Sequence, residues 1–249
     1  TAERYGFREY DGPPIEELGL YTKKSGDEIV GQLYNFNDKG ERDVSLRPEM
    51  TPTLARMAAS HTRNYKKPIK WFSIPQLFRY ERQQKGRLRE HFQFNADIIG
   101  EENLAADAEL IALLIDTLRD LKLTSDDFVV RLSSRRAWQD FFENGGGQEK
   151  DANDFYQIID KLEREDPAVS GDKLAKLGFS LKQVNDFIES GQPTDELAAI
   201  LANIKARGLG DFIKIDYRII RGLAYYTGPV YEAFDKRGKF RAIAGGGRY

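Results

Sequence analysis

Five cations, Arg79, Arg82, Lys85, Arg87 and Arg89, are interleaved with Glu81, Gln93 and Asp97 in the stretch RYERQQKGRLREHFQFNAD. Guanidinium groups fork onto phosphate and carboxylate oxygens. A carboxylate or carboxamide takes hydrogen bonds from a ligand that carries its own donors. A nucleic-acid patch would account for the cations, but not for acids set among them at alternating positions.

Side chains alternate between the two faces of a strand. If residues 69–82 and 87–99 are strands around a turn at QQKG, Arg79 and Glu81 share one face, and Phe78 and Tyr80 the other. On the second strand Arg87, Arg89, His91, Gln93, Asn95 and Asp97 fall together. Leu88, Phe92, Phe94, Ala96 and Ile98 oppose them, with Glu90 the exception. One face is therefore expected to be a core wall and the other a surface of cations and carboxylates. A solvated antiparallel face also alternates. Such faces favour Thr, Lys and Glu, whereas this one mixes Arg, Gln, Asn and Asp. The stretch FQFNADIIG becomes apolar around Gln93 and Asp97, so both are expected to turn inward, where polar groups need partners. The face suits a phosphorylated nucleotide beside a small cationic molecule, and the spacing goes no further.

The elements that must position these residues follow from turn and cap signals. Leu33 to Phe36 and Arg42 to Leu46 form a hairpin about Asn37–Gly40. In RPEMTPTLARMAAS, Thr51 as N-cap and Pro52 after it start a helix with Leu54, Met57 and Ala58 at helical spacing. Glu49 stands just before it, either as a capping or surface acid or as an acceptor for an ammonium group. Residues 103–122 are a helix with Leu104, Ala108, Ile111, Ile115, Leu118 and Leu121 as its stripe, and a strand follows at Phe128–Leu132.

Residues 135–210 are helical and charged, interrupted by glycines 145–147; a last amphipathic helix there starts at Thr194 and stops near Gly208. Strand chemistry returns in FIKIDYRIIRGLAYYTGPVYEAF and FRAIAGGGRY. The glycine run lacks the Walker pattern and is expected to be a tight turn into a strand. The Tyr225–Tyr226 pair reads first as aromatic packing. The fold class is α+β, an antiparallel sheet flanked by helices with a helical insertion. Residues 1–139 and 209–249 form the core, and 140–208 the insertion.

The chain has 249 residues, a formal charge of -2, 40% hydrophobic and 31% charged residues. That is ordinary for a soluble protein with a full core. The near-neutral balance argues against wholesale electrostatic binding of nucleic acid. No cysteine and only His61 and His91 exclude disulfides and thiolate zinc, and disfavour a histidine metal cluster. No run approaches the ~18 apolar residues of a membrane span, and no signal peptide is visible. A cytoplasmic location is expected. Starting at Thr1 and stopping in AGGGRY, the chain reads as a fragment.

Several segments in this order resemble the catalytic core of histidyl-tRNA synthetases, a class II aminoacyl-tRNA synthetase family. YGFREYDGPPIE resembles the tail of motif 1, with Pro13 at its proline, and SLRPEMTPTLAR resembles the LRPE-T segment. FRYERQQKGRLREHFQFNADIIG resembles motif 2, and RIIRGLAYYTGPVYEAF the histidine-specific RGLDYY segment, with AGGGRY in the strand beyond. The resemblance implies an enzyme that joins histidine to ATP, carrying Mg²⁺, and transfers the histidine to the 3′ end of tRNA(His), as a cytoplasmic homodimer. Arg79 would then grip the α-phosphate and the histidine carboxylate region, Glu81 lie near adenine, and Arg87 hold the γ-phosphate. Arg221 would sit against the α-phosphate and the bound histidine. Glu49, Thr51 and Gln93 would receive the amino group, and Asp97, Tyr225 and Tyr226 form the imidazole pocket. Gln84 and Lys85 would meet the tRNA acceptor end.

The sequence also departs from the family pattern. Ala224 replaces the aspartate of RGLDYY, which removes a polar group near the site, and Gln83 replaces the usual proline of the motif 2 loop. Motif 3, with an arginine against adenine, and an anticodon-binding domain are expected beyond Tyr249. The chain as it stands is therefore expected to activate histidine weakly or not at all. A rival reading is the regulatory subunit of an ATP phosphoribosyltransferase, a paralogue that senses histidine without charging tRNA. Such a sensor has no need to keep Arg79, Arg87 and Arg221 together. A tRNA-binding module without catalysis would leave Gln93 and Asp97 unexplained.

Overall fold

The computed structural model describes residues 1–23, 30–81, 88–220, 226–238 and 242–249. It is a mixed α+β chain that folds as two compact units, Thr1–Glu102 and Asn103–Tyr249.

In the first unit, β1 (Arg8–Glu9) lies parallel to β5 (Ile69–Ser73), which pairs antiparallel with β8 (Asn95–Ile99). A second sheet places β4 (Asp43–Leu46) between β2 (Ile15–Glu17) and β3 (Tyr34–Asn37). The β3–β4 hairpin forms where the turn signals put it, each strand starting one residue later than expected. Asp38 closes its turn by accepting from Arg42 Nε (2.8 Å) and the Gly40 amide (2.8 Å). The helix Thr51–Ser60 begins with Met50 as its cap and no side-chain capping bond. Thr51 is thus the first helical residue rather than the N-cap, so the helix starts one position earlier than expected, without a capping hydroxyl.

The strands of the 69–99 hairpin are each broken in two. β6 (Gln76–Phe78) pairs with β7 (Glu90–Phe92) in a separate two-stranded ribbon. Both ladders keep one register: Ser73↔Asn95 is followed by Gln76↔Phe92, with Ile74, Pro75, Gln93 and Phe94 between. Proline has no N–H to give a ladder. Here the Gln93 amide donates to the Pro75 carbonyl (3.2 Å), so the count survives the gap.

The second unit carries the sheet β10 (Ile213–Ile215), β9 (Phe128–Ser134), β11 (Pro229–Asp235), β12 (Ala244–Gly247), with β10 and β9 parallel and the others antiparallel. Helix Leu104–Asp120 starts on Asn103, whose side chain accepts from the Ala105 amide (2.8 Å). It buries Ala108, Ile111, Ile115 and Leu118 and packs against helix Asp195–Ala206. Leu121, expected in that stripe, is 69% exposed because the helix has ended before it.

Helices Arg135–Asn144, Ala152–Lys161, Pro167–Lys176 and Leu181–Ser190 enclose an aromatic cluster of Trp138, Phe141, Phe142, Phe155, Phe179 and Phe187. The glycine run sits against it. A Cβ on Gly145 would come within 2.4 Å of Phe179, one on Gly147 within 2.4 Å of Phe142, and Gly146 has φ 84°. The first and last glycines make room for rings, and the middle one reverses the chain in the left-handed region. Trp138 is fully buried and donates from Nε1 to the Tyr217 carbonyl (2.9 Å). Trp138→Phe keeps a ring but orphans that carbonyl, so we expect a loss of roughly 2 kcal/mol in urea unfolding. Unchanged stability would deny the indole this role.

Candidate active site

The polar residues singled out in the first unit are held by a buried arginine that their spacing did not reveal. Arg47, 5% exposed, donates from Nε to the Gln76 carbonyl (3.0 Å) and from Nη1 to the Gly12 carbonyl (2.7 Å) and Asp11 Oδ1 (3.2 Å). Its own amide bonds to the Pro14 carbonyl, and its carbonyl receives the Phe78 amide. The residues around Pro13, the LRPE segment and β6 are thereby tied to one side chain. One signal for Arg47 was available: an arginine two residues before Glu49, between a strand and a proline, where a solvated side chain has no reason to be fixed.

Arg79 follows β6, and its amide takes the Arg89 carbonyl (2.8 Å), which extends the ribbon by a pair. Its Nε donates to the Pro48 carbonyl (2.9 Å), so the guanidinium stands beside the segment that carries Glu49 and Thr51. Both of these are half-buried. Glu49 acts electrostatically on the buried Tyr21, whose hydroxyl lies 3.3 Å from Thr53 Oγ1 and whose pKa burial pushes up to about 12.

Glu81 is 8% exposed, and its amide turns back to the Arg79 carbonyl (2.7 Å). The strand has ended by then, so simple alternation no longer places Glu81 on the Arg79 face. Both still act on His91: burial first, then Arg79, lower its pKa below the usual imidazole value, while Glu81 opposes them.

Register places Trp71 opposite Asp97 and Ser73 opposite Asn95, so these four share one face of the β5–β8 ladder. Asp97 is half-buried, as expected of it, but Gln93 is exposed. Gln93 falls in the gap between the two ladders, opposite Pro75, whose carbonyl takes its amide while its side chain stays exposed. The expected core wall is also not what forms. Phe92 is 71% exposed, Leu88 70%, Tyr80 54% and Phe94 38%, although Phe72 and Leu77 are buried. Alternation decides which residues share a face, and only a second layer decides whether that face is covered.

Arg79 stands eight positions along the strand from Trp71, about 26 Å if fully extended. Arg79 and Asp97 therefore mark the two ends of the hairpin rather than one small cup.

Arg87, Gln84, Lys85, Arg221 and Tyr225 lie outside the described residues, as do Gln83 and Ala224. Tyr226 belongs to the second unit and is half-buried. A Cβ on Gly247 would come within 2.9 Å of its Cδ1, and one on Gly246 within 2.7 Å of the Tyr231 hydroxyl. The AGGGRY glycines thus let tyrosines lie against a strand, β12, rather than make the expected tight turn. Among the described residues no three His, Cys, Asp or Glu side chains are grouped to hold a metal ion. No described helix is long and apolar enough to cross a membrane.

Residues 1–249 match the histidyl-tRNA synthetase family from end to end. The chain belongs to the histidyl-tRNA synthetase family. It is 46% identical to a histidine–tRNA ligase of Opitutus terrae, with 100% of this chain and 62% of that protein aligned. A solved histidyl-tRNA synthetase from Nostoc sp. PCC 7120 superposes with TM-score 0.81 at 25% identity, covering 100% of this chain and 62% of that one. A Bacillus halodurans structure described as an ATP phosphoribosyltransferase regulatory subunit/histidyl-tRNA synthetase superposes with TM-score 0.83 at 22% identity, covering 100% and 69%. At that identity it shows the fold alone. The chain spans about 62% of the length of the Opitutus relative, and its α+β fold is that of class II histidyl-tRNA synthetases.

Two outcomes follow from this geometry. Arg47→Met removes the charge and leaves the Gly12 and Gln76 carbonyls without their donor, so unfolding in urea is expected to show a loss of about 3 kcal/mol. A loss within error would mean that the three segments are held by other contacts. His91, its folded pKa held by burial and Arg79 below the ordinary imidazole value of 6.5, favours the native state most when neutral. That contribution is complete above pH 6.5 and is lost as pH falls through the lower, folded-state value. His91→Gln is expected to flatten the stability profile in that window, and an unchanged slope would place the titration elsewhere.

Proposed function

We propose that the protein to which this chain belongs is a histidine–tRNA ligase. It joins histidine to ATP, giving histidyl-adenylate and pyrophosphate, and transfers the histidine to the 3′ end of tRNA(His). What supports the reading is the family match over the whole chain, together with Arg79 and Asp97 on one hairpin and Arg79 bonded to Pro48 next to Glu49.

In the first step a histidine carboxylate oxygen forms a bond to the α-phosphorus, the bond to the bridging oxygen breaks, and pyrophosphate leaves. In the second, a ribose hydroxyl of the tRNA attacks the acyl carbon and AMP leaves. Negative charge grows on the α-phosphate oxygens. Fixed guanidinium groups, Arg79 and Arg221, stabilise it without a general base, each at ~3 kcal/mol if lost. Arg87 holds the γ-phosphate and Glu81 the adenine. Glu49, Thr51 and Gln93 take the amino group, and Gln93 turns in from its exposed position to do so. Asp97, Tyr225 and Tyr226 take the imidazole.

A carboxylate bonded to an imidazole N–H rejects apolar rivals, because they would leave it buried without a partner; ratios of ~10⁴ are attainable. Mg²⁺ arrives with ATP as part of the substrate and neutralises phosphate charge. Gln84 and Lys85 meet the tRNA acceptor end. Residues 1–139 and 209–249 make the catalytic core and 140–208 an inserted helical lobe. The protein works as a cytoplasmic homodimer.

The regulatory-subunit reading shares the fold but has no use for the phosphate-gripping arginines. Histidine-dependent ATP–pyrophosphate exchange and tRNA charging by the intact protein separate the two. Arg221→Ala is expected to cut the exchange rate at least ~10²-fold, and Asp97→Ala to abolish histidine binding in calorimetry. Intact protein that charges no tRNA but alters a phosphoribosyltransferase partner would reverse the assignment.

A further inference from the structure

Two buried hydroxyls near Asp97, Tyr10 Oη and Ser73 Oγ, act on one another, but neither makes a well-aligned hydrogen bond. Buried polar groups in folded proteins are nearly always partnered, so each such exception asks for a physical reason. Ser73 is 1% exposed and lies on the same ladder face as Asp97. Tyr10 directly follows β1, and its amide donates to the Phe72 carbonyl (2.9 Å), which fixes its backbone against β5. Its ring stacks on Trp71 with centroids 5.5 Å apart and planes at 30°. Trp71 is in turn the cross-strand neighbour of Asp97. The phenol is thus clamped from one side by an indole whose cross-strand neighbour carries the carboxylate.

The groups acting on that hydroxyl are Ser73, Asp97, Arg47 and Asp11, and burial outweighs them all in keeping the phenol protonated. A protonated phenol is a donor in need of an acceptor. Arg47 is itself a donor. Asp11 already accepts from Arg47 Nη1 (3.2 Å) and the Gly12 amide (2.8 Å), and its side chain is 78% exposed. Ser73 Oγ is near but not aligned to accept well, and of the carboxylates acting on the phenol Asp97 is the stronger influence.

We propose that Tyr10 is a positioning residue for Asp97: its hydroxyl, seated on Ser73, donates to the carboxylate and holds it ionised and turned toward the imidazole of histidine. This rests on the reading of Asp97 as the imidazole acceptor. Hydrogen bonds at such sites are often long before the ligand is bound and tighten in the complex. The hydroxyl is closed to solvent, so it acts on the ligand through Asp97 rather than by touching it. The device is particular to a tyrosine at this place, since a phenylalanine would stack equally well on Trp71 and give no proton.

Histidine binding to the intact protein, followed by titration calorimetry over a series of pH values, tests it. Tyr10→Phe keeps the stack and removes the donor. It is expected to weaken binding on the order of tenfold at neutral pH, the usual worth of a hydrogen bond to a charged group. Losing a donor raises the pKa of a carboxylate, so the acid limb of the binding profile is expected to move to higher pH. The imidazole of free histidine titrates identically in both experiments and drops out of the difference.

Unchanged affinity, or a loss equal at every pH, overturns the proposal, because packing alone would explain either. Ser73→Ala, which removes the seat of the phenol, should give the same shift in smaller degree and serves if Tyr10→Phe does not fold. Asp97→Asn keeps the failures apart. If it loses histidine binding while Tyr10→Phe does not, only the role of Tyr10 falls. If it binds histidine as the parent does, the imidazole reading falls first.

Discussion

A single buried guanidinium, Arg47, holds the first unit's polar site in register. Its hydrogen bonds to the Gln76 and Gly12 carbonyls and to Asp11 join three stretches of chain far apart in sequence. Removing a charge from water is costly unless every donor finds an acceptor. That cost makes the arrangement all-or-none: the carbonyls of Gly12 and Gln76 must both be in place, or the arginine cannot be inside. Pro48, the next residue, presents the carbonyl that takes Arg79 Nε. The position of Arg79 beside Glu49 and Thr51 therefore follows from the burial of Arg47.

The hairpin that carries Arg79 at one end and Asp97 near the other is continuous in register and interrupted in hydrogen bonding. Pro75 removes a donor, and the ladder resumes at Gln76 with the same pairing. A break of this kind lets a ribbon bend while side-chain order is kept, because a one-residue slip would turn every side chain to the opposite face. The polar set is spread along the ribbon's length.

The second unit solves a different problem. Its helices between Arg135 and Ala206 are short and charged, and their cohesion comes from rings. Trp138, Phe141, Phe142, Phe155, Phe179 and Phe187 touch in offset and edge-on pairs, the arrangements that aromatic quadrupoles favour. Glycines 145 and 147 are the complement of those rings, since any side chain would occupy the same space. Gly246 and Gly247 stand in the same relation to Tyr231 and Tyr226. Both runs mark close packing, a role that composition does not separate from a flexible or phosphate-binding loop.

Local signals were legible wherever the controlling interaction is local. The helix within residues 103–122, the Thr194 start of helix Asp195–Ala206, the β3–β4 hairpin and the helical character of residues 135–206 all depend on neighbours within a few positions. So did the sharing of a face by Asn95 and Asp97, which two-residue alternation dictates. Thr51 was displaced by one residue because proline is accepted at more than one place in a first turn. What tertiary structure alone decided was depth and partnership. Phe92 and Leu88 stay in water, Gln93 falls in a gap between ladders, Arg47 goes inside, and Tyr10 comes to lie on Trp71. Periodicity says which way a side chain points; whether anything meets it there depends on chain that is remote in sequence.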